Sequence, residues 1–109
     1  MEFHDLIERA LKVRAEYAKL EQARYGRLWE MDEIALGFMG DVGNLAKLVI
    51  AKNGVRDISD TDAKLAHELS DCLWSIIVLA HHYDIDLETS FFETMDEISQ
   101  QIKNVTGGA

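Results

Sequence analysis

No proline interrupts this chain of 109 residues, and that absence constrains the fold more than any other feature. Proline makes up about 5% of an average sequence. It lacks a backbone N–H and breaks a helix wherever it falls in the interior. A chain without it, rich in Ala, Leu, Ile, Glu and Lys, is expected to run in long uninterrupted helices.

Apolar residues at three-and-four spacing place four such helices. The first, about Phe3–Arg24, carries Leu6, Ile7, Ala10, Leu11, Val13, Tyr17 and Leu20 and stops at Gly26. The second, about Met31–Lys52, carries Ile34, Phe38, Val42, Leu45, Leu48 and Val49, with Asn53-Gly54 as its C-terminal stop. Val55–Asp60 reads as a loop, with Ser59 or Asp60 as the N-cap that follows. The third, about Thr61–Tyr83, carries Leu65, Leu69, Cys72, Leu73, Ile76, Ile77 and Ala80. A turn capped by Asp86 leads to the fourth, about Leu87–Val105, with Phe91, Phe92, Met95, Ile98 and Ile102. Residues 106–109 read as a frayed tail. The expected architecture is a single all-α domain, a four-helix bundle. The second half of the third helix is apolar around most of its circumference, which predicts burial between subunits of an oligomer.

Composition removes several function classes. A lone cysteine, Cys72, makes no internal disulfide and no Cys-rich metal site. It falls in the apolar pattern and reads as an inert buried thiol. The net charge of −9 opposes nucleic-acid polymers and anionic membrane surfaces as partners. No uninterrupted apolar run reaches the ~20 residues of a membrane span. The first residues lack the basic-then-apolar order of a signal peptide, and the expected compartment is the cytoplasm. An acidic protein meets an anionic partner most readily through a bound divalent cation.

Acids that interrupt the apolar stripes supply candidate ligands for one. Glu68 and Asp71 stand three apart, on one helix face, among Leu65, Leu69, Cys72 and Leu73. Asp41 and Asn44 repeat that spacing on the second helix. Gly37, Gly40 and Gly43 follow one another at the same interval, although an internal helical glycine costs ~1 kcal/mol relative to alanine. A close helix approach, or room for a ligand beside Asp41, would account for them. Oxygen pairs on two facing helices suit Mg²⁺, which prefers octahedral oxygen coordination. The plainer alternative is that Glu68 and Asp71 are solvated or salt-bridged, for example Glu68 to Lys64.

The ordered set resembles the MazG-like, all-α nucleoside triphosphate pyrophosphatase superfamily over about Leu28–Ile98. Gly40-Asp41-Val42-Gly43-Asn44-Leu45-Ala46-Lys47 is similar to that family's Glu-Glu-x-Gly-Glu-Leu-x-Lys segment. Glu68-Leu69-Ser70-Asp71 matches its Glu-x-x-Asp pair, and Tyr83–Glu88 resembles its turn into the last helix. Two positions depart from the pattern: Asp41 replaces a glutamate, and Asn44 replaces the second acid. Thr94, Glu97 and Ile98 stand where many relatives carry phosphate-contacting residues.

The resemblance implies hydrolysis of a nucleoside triphosphate to monophosphate and pyrophosphate, with non-canonical nucleotides among the targets. Asp41, Glu68 and Asp71 would be the catalytic acids. With Asn44 they would hold Mg²⁺, or Mn²⁺ in its place, in a shell of charge −3 rather than −4. Lys47 and Lys64 are the candidate phosphate contacts, and Trp29 and Trp74 the candidate platforms for a base. A surface lysine and a core tryptophan are the ordinary alternatives. In relatives the subunits build the pocket together, implying a homodimer or a dimer-of-dimers tetramer. A rival reading keeps the metal shell but makes the chain a non-catalytic binding or interaction protein. His67-Glu68 begins a zinc-protease motif, but Asp71 stands where the second histidine is required. His81-His82 read as complements to a helix C-terminus.

Overall fold

Gly26 adopts φ 70° and ψ 11°, and its N–H bonds back to the Gln22 carbonyl, so the first helix ends where a residue without Cβ permits the left-handed turn. In the computed structural model, residues 1–54 and 58–107 are described. They form α1 (Phe3–Tyr25), α2 (Met31–Lys52), α3 (Thr61–His82) and α4 (Leu87–Thr106). No strand occurs among the described residues. The chain is all-helical, and every helix end lies within one residue of the boundary read from the periodicity.

The helix starts follow local chemistry. The N–H of Glu2 donates to Asp5 Oδ2 at 2.9 Å, and that of Glu30 to Glu33 Oε1 at 3.1 Å. Each acid thereby satisfies an N-terminal donor in the manner of a capping box. Asp86 caps α4 as expected, accepting from the Thr89 N–H at 3.1 Å and its hydroxyl at 2.9 Å. Asp60 takes a left-handed φ of 53°, and its carbonyl accepts the Lys64 N–H at 3.0 Å. The rest of the expected Val55–Asp60 loop lies partly outside the described residues. Thr106 is helical rather than frayed. Its hydroxyl bonds the Ile102 carbonyl at 3.0 Å, and Gly107 closes the helix at φ 94°.

Two compact units partition the chain, Met1–Leu79 and Ala80–Ala109. The first holds α1, α2 and most of α3. Its core contains Ala10, Ile34, Leu48, Cys72, Ile77 and Val78, together with buried Glu21 and Ser75. Ala10 belongs to the apolar stripe expected on the first helix, whereas the burial of Glu21 was not expected. The Trp74 indole N–H donates to the Ala10 carbonyl at 3.1 Å, and the Tyr17 and Trp74 rings sit 5.5 Å apart. In the second unit no residue of α4 is buried. Its apolar stripe is exposed, from 41% at Met95 and Ile98 to 62% at Phe92.

Average hydropathy singles out one helix that uninterrupted run length does not. The 22 residues of α2 have a window of mean hydropathy 1.5 and are long and apolar enough to cross a membrane. Run length missed this because isolated Asp41 and Lys47 break the runs without lowering the average much.

Candidate metal centre

Asp41 reaches the centre from the middle of α2, Glu68 and Asp71 from successive turns of α3. Ligand atoms of the three carboxylates lie within 4.8 Å of one another, and all three residues are half-buried. The apolar stripes explain the convergence. Burying Leu48 on α2 with Cys72 on α3 turns the acids interleaved among them toward the same seam.

The electrostatics of this cluster are unfavourable for three bare carboxylates. Burial pushes the Asp41 carboxyl above its usual range, and the negative charge of Asp71 pushes it further, against a smaller opposing effect of His67. Burial also raises the Cys72 thiol, with the charges of Asp41, Glu68 and Asp71 adding to it. Asp71 has one close cationic candidate, His67 Nε2 at 3.1 Å. Glu68 Oε2 is buried with no hydrogen-bond partner, and no Lys64–Glu68 bridge forms among the described residues. An orphaned carboxylate oxygen beside two further acids is the donor set that a hard divalent cation satisfies. The residues therefore fit Mg²⁺ or Mn²⁺.

Two recesses border the acids. One, of about 470 Å³, is lined by Asn44, Lys47, Lys64, His67 and Glu68, with apolar Leu48, Ile58 and Ala63. Asn44, Lys47 and Lys64 are exposed, and neither lysine joins an ion pair among the described residues. The other, of about 480 Å³, is lined by Asp41, Asp71, Trp29, Trp74, Tyr17, Glu33 and Gly37, among others. The structure thus gathers Asp41, Glu68 and Asp71 together, sets Asn44 with both lysines beside Glu68, and sets both tryptophans beside Asp41 and Asp71.

The helical glycines do not mark a close approach within the chain. A Cβ built on Gly37, Gly40 or Gly43 meets no atom within 4 Å, so that stripe faces open space among the described residues, and Gly37 alone of the three lines a recess beside Asp41. Reading the sequence also missed three contributors: His67 beside Asp71, Tyr17 against Trp74, and the buried Glu21–Arg14 pair behind Trp29. Seven residues separate Arg14 from Glu21, two helical turns, so the pair was visible as opposite charges on one face of α1. Their burial was not. Comparison with protein-family models, curated proteins and solved structures finds no match for this chain.

Proposed function

We propose that this protein is a Mg²⁺-dependent nucleoside triphosphate pyrophosphohydrolase of the MazG-like kind, acting as a homodimer or dimer-of-dimers tetramer. The observation that carries this reading is the convergence of Asp41, Glu68 and Asp71 beside one recess lined by two lysines that are unpaired among the described residues and another lined by two tryptophans. This combination suits a triphosphate attached to a flat base.

In the proposed reaction a water oxygen bonds to the α-phosphorus, the bond from that phosphorus to the α–β bridging oxygen breaks, and pyrophosphate departs with that oxygen. A divalent cation held by Asp41, Glu68 and Asp71 supplies charge neutralisation and a lowered water pKa. Lys47 and Lys64 bind phosphate oxygens. Trp29 and Trp74 offer ring faces to the base, and the half-buried site limits access of bulk water.

Exposed Leu69, Leu73 and Ile76 on α3 and Leu36 and Met39 on α2 support a subunit interface. Asp41 and Lys47 near the middle of α2 favour a helix packed at a polar site over one in a bilayer, where each charge costs about 2.5–3.5 kcal/mol. A free thiol at Cys72 suits the reducing cytoplasm. A second reading, nucleotide binding without turnover, is favoured by Asn44, which leaves the shell one charge short.

Pyrophosphate release from canonical and modified nucleotides, with calorimetric titration of Mg²⁺ and Mn²⁺, tests both. Turnover lost in Asp71→Ala supports the enzyme. Binding without turnover supports the second reading, and neither metal binding nor turnover overturns both.

A further inference from the structure

Behind the aromatic recess lies a charged pair that the proposed reaction does not use. Glu21 is 1% exposed, the most deeply buried large side chain described. Arg14 grips it with two N–H···O bonds of 2.7 and 3.1 Å. The pair also holds one residue from both sides. Glu21 Oε1 accepts the Trp29 backbone N–H at 2.8 Å, and Arg14 Nη2 donates to the Trp29 carbonyl at 3.3 Å. Both backbone polar groups of Trp29 are therefore fixed by one buried ion pair, immediately before the N-cap of α2. A buried ion pair is weak evidence of net stabilisation, because desolvation offsets most of the attraction. Fixing a single conformation is the role its geometry serves.

We propose that Glu21 and Arg14 form a positioning clamp that sets Trp29 as one wall of the recess, so that the gap accepts a flat aromatic ring. Trp74, which lines the same recess, is held from the same helix, since its indole N–H bonds the Ala10 carbonyl and its ring packs against Tyr17. That the ring is a nucleobase rests on the pyrophosphohydrolase reading; the clamp itself does not.

The chain has two tryptophans, so Trp74→Phe leaves Trp29 as the only indole reporter. In that background, Glu21→Gln is expected to red-shift Trp29 emission and raise acrylamide quenching about threefold, with helical circular dichroism unchanged. Should Glu21→Gln fail to fold, the paired change Glu21→Met with Arg14→Met carries the test, since apolar replacement of both partners preserves buried volume. Unaltered emission and quenching in the paired variant with its helices intact overturns the clamp. In the otherwise native chain, the same variants should raise KM for the preferred nucleoside triphosphate about tenfold and change kcat less than twofold. A fall in kcat at constant KM also overturns it. If the native chain hydrolyses no nucleotide, the enzymatic reading fails and the fluorescence result still decides the clamp.

Discussion

Asp41 and Asp71, on different helices, bring carboxylate oxygens within 4.8 Å, with Glu68 alongside, and the charge of Asp71 adds to burial in making ionised Asp41 unfavourable. Neutralising Asp41 should therefore stabilise the metal-free protein. With chelator present at neutral pH, Asp41→Asn is expected to raise Tm by a few degrees, on the order of the shift that a small stability gain produces in a domain of this size. Because the folded pKa lies above the unfolded one, the native state holds its proton more tightly. The penalty in the parent is absent below the unfolded pKa and grows as pH rises through the folded one. The Tm gap should close in acid, and Mg²⁺ or Mn²⁺ should stabilise the parent and not the variant. Scanning calorimetry with and without cation checks each part.

Asn44 borders the lysine recess beside Glu68. Asn44→Asp adds an anionic ligand there, and cation affinity rises with the charge of the ligand set. Calorimetric titration should show Mn²⁺ binding tightened on the order of tenfold. An unchanged affinity would place Asn44 outside the shell.

Glu21 titrates in the opposite sense to Asp41. Burial raises its pKa, but the Arg14 hydrogen bond, the Trp29 N–H and the Arg14 charge together hold it below the usual range. Its contribution to stability is present above the unfolded pKa and lost as pH falls through the folded one. Glu21→Ala strands Arg14, 16% exposed in its side chain, and should cost roughly 3–5 kcal/mol in denaturant unfolding. The paired Met variant should lose far less. Equal losses would mean that packing, not the stranded charge, is what the alanine removes.

On the surface, Arg27 donates to both oxygens of Glu33 at 2.7 and 2.9 Å. That hydrogen bonding, with the Glu30 N–H, lowers the Glu33 carboxyl to about 2. Carbon-detected NMR titration should find Glu33 ionised well below pH 4, and Arg27→Ala should return it toward the ordinary range. What Glu33 adds to stability is held above its unfolded pKa and disappears as pH falls toward 2.

The Cys72 thiol is buried and raised by burial and by three acids. Alkylation by iodoacetamide at pH 8 should be at least tenfold slower in the folded protein than in denaturant, since the thiolate is the reactive form. Fast labelling of the native state would contradict the burial.

Helix limits were legible because they depend on neighbours in sequence: Gly26 and Asp86 act through their own backbone or first turn. The acid cluster was legible for a related reason. Asp41, Glu68 and Asp71 stand within apolar stripes whose burial dictates where they point. Glu21 escaped notice because its environment is made by Trp29, a residue of the next connection, and no periodicity in α1 announces it. The fate of the apolar stripe on α4 was equally hidden, since Phe91 and Ile98 look the same in sequence whether or not another surface covers them. Glycines 37, 40 and 43 showed that the α2 flank was unusual, but only coordinates separated open space from close contact.

Both tryptophans of the recess are anchored from α1, whereas every acid of the centre comes from α2 or α3. On the proposed function, selectivity and reactivity would be carried on separate stretches of chain. Substitutions in α1 would then alter which ring is admitted while the three acids proposed to hold the cation stay in place. A family of such chains would be free to diversify in diet without relearning its chemistry.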